Sequence, residues 1–342
     1  MAPADLRTLA ETARALVAPR KGILAADESS GTIKKRFDSI GVESTEDRRR
    51  FYREMLFTTE GHEEFVSGVI LFDETIRQSA SDGRTLVQVL TDAGVIPGIK
   101  VDKGAKALAG ATSETVTEGL DGLRERLEEY VGLGARFAKW RATYTITHDL
   151  PSSYAVEVNA HALARYAALC QEAGLVPIVE PEVLMDGGHT IERCYDVTRD
   201  VLQATFAELY RERVAFEGML LKPNMVLSGS DCPTQADHDA VADATISCFR
   251  DVVPAAVPGI VFLSGGQTDE TATANLNAMN RRGPHPWELS FSYGRALQAP
   301  ALKAWKGDDA NAAAAQAAYL HRARMNGLAR TGSWSADREK AA

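Results

Sequence analysis

Eight short apolar runs, separated by longer segments with helical periodicity, limit what this chain can fold into. Each run is continuously apolar rather than alternating, which is typical of parallel strands buried on both faces. The runs are Gly22–Ala26, Gly68–Phe72, Ile96–Val101, Phe137–Tyr144, Val176–Leu184, Gly218–Val226, Gly259–Ser264 and Leu289–Tyr293. Eight strands with helices between them predict a closed (β/α)8 TIM barrel of the α/β class, with an open doubly wound sheet plus a small extra domain as the alternative.

The domain organisation predicted from this pattern is simple. No Pro/Ser-rich linker or long charge run divides the 342 residues, and barrels often exceed about 250 residues, so one domain is expected. The first residues, MAPADLRTLAETARAL, predict an amphipathic helix before the barrel. The last residues, ARTGSWSADREKAA, are small and polar, so residues 329–342 are predicted to form a mobile tail and residues 1–328 the barrel domain.

Charge and hydropathy exclude several classes of protein. A net charge of -9 is not that of a general nucleic-acid binder, which presents a basic surface. No stretch approaches the roughly 18 apolar residues of a membrane span, so no membrane association is expected. The N-terminal segment lacks the apolar region of a signal peptide, and a cytoplasmic location is predicted.

Charged side chains enter most of these runs late, near the end of the predicted strand. Because a barrel gathers the C-terminal ends of its strands around one mouth, these side chains are expected to converge there. They are Asp27, Lys100, Lys139, Glu180, Glu182, Lys222 and Arg295.

Lys222 is the candidate nucleophile. It lies in the run GMLLKPN, among Leu220, Leu221 and Pro223, and Lys139 is expected nearby. A single strand-end lysine more commonly extends its ammonium to water. Desolvation and a neighbouring like charge both lower the pKa of an amine, however, and a neutral amine is what addition to a carbonyl requires. The combination favours a nucleophilic lysine.

Two further carboxylate positions suit acid–base chemistry. Glu180 and Glu182 are two residues apart on a strand, which places both side chains on one face. They are either a solvated pair or a general acid/base pair in which one carboxyl holds its proton near neutral pH. Asp27 is a weaker indication, because Asp before Ser commonly caps a helix.

Glycine turns after the last two strands indicate a phosphate site. Ser264, Gly265 and Gly266 precede one helix, and Ser292, Tyr293, Gly294 and Arg295 precede another. Backbone N–H groups at helix N-termini attract anions, and barrels frequently bind phosphate at these two loops. The alternative is that these glycines only make tight turns. Near the first strand, a second phosphate could be held by Ser29, Thr32, Lys35, Arg36 and Lys100.

The sequence gives no indication of a metal site. The histidines, His62, His148, His161, His189, His238, His285 and His321, are scattered, and the four cysteines lack CxxC spacing. No metal and no other cofactor is therefore expected.

The motifs that carry this chemistry resemble the class I fructose-bisphosphate aldolases. KGILAADES, GIKVDKG, FAKWR, VPIVEPE, LLKPNMV, FLSGGQ and FSYGRALQ occur in the family's order between about Leu6 and about Ala329. The resemblance implies that Lys222 forms a Schiff base with the C2 carbonyl of a ketose bisphosphate. It implies further that Glu180 acts as acid in carbinolamine dehydration, that Glu182 and Lys139 tune the site, and that Asp27 helps to deprotonate the C4 hydroxyl.

The resemblance also assigns the two phosphates and the biological setting. It implies that Ser264, Gly265 and Arg295 hold the C1-phosphate and that Ser29, Thr32, Arg36 and Lys100 lie near the C6-phosphate. Gly294, Lys35 and Arg141 are expected as further substrate or phosphate contacts. The implied partners are phosphorylated sugars, cleaved reversibly to dihydroxyacetone phosphate and glyceraldehyde 3-phosphate in glycolysis and gluconeogenesis. A cytoplasmic homotetramer is the family's usual state.

Two positions depart from the family pattern. The animal enzymes end in a tyrosine implicated in enamine protonation, whereas this chain ends in Ala342 and its last tyrosine is Tyr319. Either another group moves that proton or the step is slower. Thr32 replaces a common serine but keeps the hydroxyl. A non-catalytic scaffold that kept the barrel, and another Schiff-base lyase of phosphorylated sugars, remain as alternatives.

Overall fold

The structure, a computed structural model, describes residues 5–340. The predicted N-terminal helix and the predicted tail each extend past these limits, and residues 1–4 and 341–342 lie outside the described residues. The strands are β1 (Gly22–Ala26), β2 (Val66–Leu71), β3 (Ile96–Lys100), β4 (Ala105–Ala107), β5 (Thr115–Thr117), β6 (Phe137–Tyr144), β7 (Val176–Val183), β8 (Leu220–Leu221), β9 (Gly259–Phe262) and β10 (Glu288–Tyr293).

Helices follow the barrel strands and cover them. They are α1 (Leu6–Leu16), α2 (Ser30–Asp38), α3 (Glu46–Phe57), α4 (Asp73–Ile76), α5 (Leu86–Asp92), α6 (Leu123–Gly132), α7 (Ser153–Glu172), α8 (Ile191–Arg211), α9 (His238–Val252), α10 (Asp269–Asn280), α11 (Arg295–Trp305), α12 (Ala312–Ala329) and α13 (Ala336–Lys340). Short 3-10 turns occur at His62–Glu64, Phe216–Gly218 and Asp309–Asn311.

Eight of the strands close into a barrel, in the order β1, β10, β9, β8, β7, β6, β3, β2. Every neighbouring pair in this barrel is parallel. This confirms the predicted (β/α)8 barrel over the open doubly wound sheet. In a closed barrel all the C-terminal strand ends face one mouth, which is the arrangement that the predicted site requires.

Helix α1 closes the opposite end of the barrel. Its buried residues Leu9, Ala13 and Leu16 pack with side chains of the barrel interior, among them Ile23 and Phe137, in one apolar cluster. The helix begins at the cap Asp5, whose side chain accepts a hydrogen bond from the Arg7 backbone N–H. The amphipathic pattern read in the sequence therefore serves to seal the barrel interior from water at this end.

Strand β8 is shorter than predicted. The apolar run Gly218–Val226 gives only the two-residue strand Leu220–Leu221. Pro223 has no N–H to donate, and Asn224 Oδ1 accepts the Val183 N–H at 2.9 Å in place of a main-chain carbonyl. The chain thus leaves the sheet at Lys222, which places that side chain at the very end of its strand.

Two other local features differ from the sequence pattern. The hairpin of β4 and β5, inserted after the third barrel strand, was not predicted. Ser44, with Asp47 three residues later, is typical of a helix start, but the cap of α3 is the next residue, Thr45, which accepts the Arg48 N–H. Ser44 instead offers its carbonyl to Arg49 Nη1 at 2.7 Å.

The described part of the predicted tail contacts the barrel domain. Glu339 of α13 accepts a hydrogen bond from Trp334 Nε1 at 2.7 Å and contacts Arg322 and His321 of α12. Its mobility in solution stays a prediction. Among residues 5–340, none of the helices is both long enough and apolar enough to cross a bilayer.

Candidate active site

A cavity of about 900 Å³ opens at the C-terminal mouth of the barrel. It brings together every residue that the sequence assigned to the site except Lys35. These are Asp27, Ser29, Thr32, Arg36, Lys100, Lys139, Arg141, Glu180, Glu182, Lys222, Ser264, Gly265, Gly294 and Arg295. Side chains from all parts of the sequence therefore meet at one place.

Lys35 lies on the exposed side of α2, away from this cavity. Thr32 and Arg36 of the same helix, four residues apart, both line the cavity. Residue 35 is turned about 100° from residue 36 around a helix of 3.6 residues per turn, which directs it away. The sequence identified the helix correctly but not the face.

Strand register sets the layout of the central side chains. Lys100 of β3 pairs with Lys139 of β6, and Arg141 pairs with Glu180 of β7. Residues two apart on one strand share a face, so Lys139 and Arg141 both point inward, as do Glu180 and Glu182. Cations and carboxylates from β6 and β7 are thereby interleaved at the mouth.

Glu180 joins the two buried lysines of the site. Lys222 is 4% exposed, and its Nζ lies 3.1 Å from Glu180 Oε1. Lys139 is 3% exposed, and its Nζ lies 3.3 Å from Glu180 Oε2. A carboxyl within hydrogen-bonding distance of an amine can take protons from it and return them, which is the arrangement that amine addition to a carbonyl and subsequent loss of water require.

Lys139 is held as a cation. Its Nζ also lies 2.7 Å from Asp27 Oδ2 and 3.9 Å from Asp102 Oδ2. Burial alone would lower the pKa of Lys139, but the carboxylates of Asp27, Glu180 and Asp102 outweigh it and raise the pKa. Lys139 is therefore equipped to stabilise negative charge and not to attack a carbonyl.

Asp27 is held as an anion by the same contacts. Burial would raise the pKa of Asp27, but Lys139, Lys222 and Lys100 outweigh it and lower the pKa from 3.8 to about 2. The carboxylate is thus ionised at neutral pH and can accept a proton from a substrate hydroxyl beside it.

The lowered pKa of Asp27 predicts how its contribution to stability depends on pH. Because the folded-state pKa lies below the unfolded value, the contribution is complete above about pH 4 and is lost as the pH falls toward about 2. Asp27→Asn should therefore lower the free energy of unfolding by about 2 kcal/mol more at pH 6 than at pH 2. Urea unfolding of parent and variant at these pH values measures this, and an equal difference at both would contradict it.

Glu182 and Arg141 form a second ion pair at the mouth. Arg141 Nε donates to Glu182 Oε2 at 2.5 Å. Burial would lower the pKa of Arg141, but the carboxylate of Glu182 raises it, so the guanidinium stays charged. Glu182 is nearly buried, at 6% exposure, whereas the Arg141 side chain is 44% exposed and faces the cavity opening.

The first predicted phosphate site is formed by the loops after β9 and β10. Gly265 has a φ of +57°, a left-handed conformation that other residues seldom adopt, and its carbonyl accepts a hydrogen bond from Arg295. Arg295 begins α11 immediately after Gly294. Arg295, Ser264 and Gly294 at the start of α11 all line the cavity, and a helix N-terminus of this kind attracts anions.

The second predicted phosphate site lies at the start of α2. Ser29 caps this helix by accepting the Thr32 N–H, and the two hydroxyls are 3.1 Å apart. Arg36 Nη1 contacts Glu28 Oε1 at 2.5 Å, and Lys100 Nζ contacts Asp102 Oδ1 at 2.6 Å. Both cations are therefore partly balanced by carboxylates of the site, and each would exchange a carboxylate contact for the phosphate.

Asp102 is a site residue that the sequence reasoning missed. It is 7% exposed, and its Oδ2 accepts the Arg141 backbone N–H at 3.3 Å while Oδ1 binds Lys100. The indication was present: Asp102 stands two residues after Lys100, the same spacing that singled out Glu180 and Glu182.

Glu28, which was not assigned to the site, also lines the cavity, as does Ser292, which was named only as part of the turn before α11. Ser292, near the end of β10, is 1% exposed, and its Oγ has no hydrogen-bond partner. A buried hydroxyl without a partner is costly unless a ligand supplies one. Its position on the last strand before the Gly294 turn was the available indication.

Metal ligands are not grouped in the described chain. Over residues 5–340, no three His, Cys, Asp or Glu side chains are arranged so that they could hold a metal ion.

Comparisons with known proteins point in one direction. A profile of the family described as fructose-bisphosphate aldolase class-I matches residues 8–342. The chain is 59% identical to a probable fructose-bisphosphate aldolase class 1 of Xanthomonas campestris, over 96% of this chain and 99% of that protein. It is 54% identical to a cytosolic fructose-bisphosphate aldolase of Arabidopsis thaliana, over 93% of this chain and 81% of that protein.

Among solved structures, fructose-bisphosphate aldolase from Plasmodium falciparum, crystallised with TRAP and a small-molecule inhibitor, has a closely similar fold. The TM-score is 0.95 at 49% identity, and the match covers 96% of each chain.

Proposed function

The chain belongs to the class I fructose-bisphosphate aldolase family, and we propose that it cleaves fructose 1,6-bisphosphate through an imine on Lys222. It is a fructose-bisphosphate aldolase, a carbon–carbon lyase of glycolysis. The observation that carries the assignment of Lys222 is its burial beside Glu180 at 3.1 Å, while the second lysine, Lys139, is committed as a cation to three carboxylates.

The first half of the proposed reaction forms the imine. The Lys222 amine adds to the C2 carbonyl of the ketose, and Glu180 transfers the protons that convert the adduct to a carbinolamine and then release its hydroxyl as water. Glu180 can do this because one of its oxygens faces Lys222 and the other faces Lys139. Lys139 and the ion pair of Glu182 with Arg141 determine the electrostatic environment in which these proton transfers occur.

The second half breaks the C3–C4 bond. Asp27 takes the proton of the C4 hydroxyl, the C4 aldehyde leaves as glyceraldehyde 3-phosphate, and the bonding electrons pass into the protonated imine to give an enamine. Protonation at C3 and hydrolysis then release dihydroxyacetone phosphate and restore the Lys222 amine. The last tyrosine of the chain, Tyr319, is buried in α12 beside His62, so it is not positioned to supply the C3 proton.

Two alternatives are less well supported. A non-catalytic scaffold would have no use for two buried lysines and four carboxylates at the barrel mouth, since such charges are costly to bury. Another Schiff-base lyase would need the same lysine, but the family and the two phosphate sites favour the bisphosphate.

We further propose a cytoplasmic, homotetrameric enzyme that needs no metal or other cofactor. The location is supported by the similarity to the cytosolic aldolase of Arabidopsis thaliana. Metal independence is a property of the class I family. The tetramer rests on the family resemblance alone.

The two phosphate sites are tested by comparing substrates with two phosphates and with one. Arg36→Ala should lower kcat/KM for fructose 1,6-bisphosphate by about 10- to 100-fold and leave fructose 1-phosphate unaffected, because a charged hydrogen bond to the C6-phosphate is lost. Arg295→Ala should lower kcat/KM for both substrates. Cleavage is followed in the presence of chelator, with Lys34→Ala, on the exposed face of α2, as the control.

Loss of fructose 1-phosphate cleavage in the Arg36 variant, or abolition of parent activity by chelator, would contradict this account. The first result would mean that Arg36 acts at the reacting carbons rather than at the distal phosphate, and the second that a metal ion takes part in the chemistry.

A further inference from the structure

Arg53 is a buried cation that the proposed reaction does not use. It lies on α3, is 1% exposed, and is not part of the cavity wall. Its guanidinium reaches the end of β1, where Nε donates to the Ala26 carbonyl at 3.2 Å and Nη2 donates to the Glu28 carbonyl at 3.0 Å. These are the carbonyls immediately before and after Asp27.

The segment that Arg53 holds is no longer part of the sheet. The pairing of β1 with β2 ends at Ala26 and Leu71, so the backbone around Asp27 has no ladder to fix it. Gln298 holds the residue before, donating from Nε2 to the Ala25 carbonyl at 2.7 Å. Arg53 binds the carbonyls of the residues on either side of Asp27, and the planar guanidinium suits two acceptors in a fixed geometry.

A positive charge at this place needs compensation. Burial lowers the pKa of Arg53, and the carboxylates of Glu28 and Glu74 offset only part of this lowering. Glu28 Oε2 lies 3.5 Å from Nη2, and Glu74 Oε2 lies 4.0 Å from Nη1. A neutral amide such as Gln298 can bind one carbonyl here without this cost, so a guanidinium is expected where a rigid two-point attachment is needed.

We propose that Arg53 is a positioning residue for the C–C cleavage step. By donating hydrogen bonds to the carbonyls of the residues on both sides of Asp27, it keeps the Asp27 carboxylate beside Lys139 Nζ. This is the position in which the carboxylate can take the proton of the C4 hydroxyl. The inference rests on the proposed function, in which Asp27 takes the C4 proton. The inference adds that the position of the Asp27 carboxylate is determined by a residue outside the cavity, which acts through the backbone.

The proposal separates the two halves of the reaction. Lys222, which forms the imine, directly follows β8, and Glu180, which transfers its protons, lies within β7; Arg53 is not a hydrogen-bond or ion-pair partner of either. Displacement of Asp27 should therefore slow cleavage and leave imine formation with dihydroxyacetone phosphate intact. A purely structural role would affect both in the same proportion.

The test uses Arg53→Lys, which keeps the charge between Glu28 and Glu74 but cannot reach both carbonyls. We expect kcat for fructose 1,6-bisphosphate cleavage to fall about 100-fold, as for a catalytic group displaced by about 1 Å. The yield of borohydride-reduced adduct with dihydroxyacetone phosphate should stay within about 3-fold of the parent yield. A tenfold loss of adduct would correspond to about 1.4 kcal/mol.

Arg330→Lys is the matched control. Arg330 is also buried and also donates to backbone carbonyls, those of Lys21, Leu289 and Val17, but at the opposite end of the barrel. Its replacement should leave the ratio of cleavage to adduct formation unchanged.

A double variant distinguishes this inference from the assignment of Asp27. If Arg53 acts through Asp27, Arg53→Lys combined with Asp27→Asn should cleave no more slowly than Asp27→Asn alone, because two residues that act as a unit are not additive. Additive losses would overturn the inference. Unimpaired cleavage by Asp27→Asn alone would instead overturn the role of Asp27.

A second variant keeps the test valid if Arg53→Lys does not fold. Should Arg53→Lys not fold, Arg53→Gln keeps two N–H donors, and Glu28 retains its contacts with Arg36 and Gln298. Loss of the adduct together with cleavage in both variants would assign Arg53 to the stability of the barrel and overturn the proposal.

Discussion

Replacement of Lys222 by Met should lower kcat for fructose 1,6-bisphosphate cleavage by about 10⁵-fold or more, because the group that becomes the electron sink is lost. The nearby Lys139 cannot take over. Its ammonium is bound by Asp27 and Glu180, and with Asp102 these carboxylates raise its pKa. Lys222→Arg should be equally inactive, although it keeps a cation beside Glu180, since a guanidinium does not form the imine.

The measurement is a coupled assay for glyceraldehyde 3-phosphate, with Lys303→Met on the exposed face of α11 as the control for loss of a lysine. Circular dichroism establishes that the variants fold. Residual cleavage within about 100-fold of the parent, in either Lys222 variant, would mean that another amine or a different chemistry carries the reaction, because loss of the nucleophile costs far more.

Replacement of Lys139 by Met should lower kcat by about 10³-fold and also destabilise the fold by about 3 kcal/mol. Its ammonium is the shared partner of Asp27 and Glu180 and lies 3.9 Å from Asp102. Without it, these buried carboxylates repel one another, and at least one of them takes up a proton.

The pH profile separates this effect from simple misfolding. Lys139 is the strongest of the cations that lower the pKa of Asp27 to about 2, so its removal raises that pKa and shifts the acid limb of the kcat profile toward neutral pH. Lys139→Arg keeps the charge, and its acid limb should stay at low pH even if the rate falls. An unshifted acid limb in the Met variant would show that Lys139 does not control the ionisation of the site.

The architecture was predictable because the barrel strands are apolar on both faces. Continuous apolar runs such as Gly259–Ser264 predict buried strands. The C-terminal ends of these strands lie around one mouth of a closed parallel barrel, so the charged residues at those ends are expected to meet there. This is why residues as far apart as Asp27 and Arg295 could be assigned to one site. Lys222, at the end of the shortest strand, was found through its apolar neighbours.

The features that were missed depend on tertiary contacts. The pattern did not reveal that Asn224 would replace a ladder hydrogen bond and end β8 early, nor which face of α2 would meet the cavity, so Lys35 was included with Arg36. Arg53 has no motif of its own in the sequence. Its role is visible only when α3 packs against the end of β1 and its donors meet two carbonyls.

The measurement that tests the central claim most directly is borohydride reduction in the presence of dihydroxyacetone phosphate, with and without chelator, followed by peptide mass mapping. The account predicts one reduced adduct, on Lys222, formed equally well in chelator. An adduct on Lys139 instead, or none on folded and soluble protein, would contradict the assignment of Lys222 as the imine-forming residue.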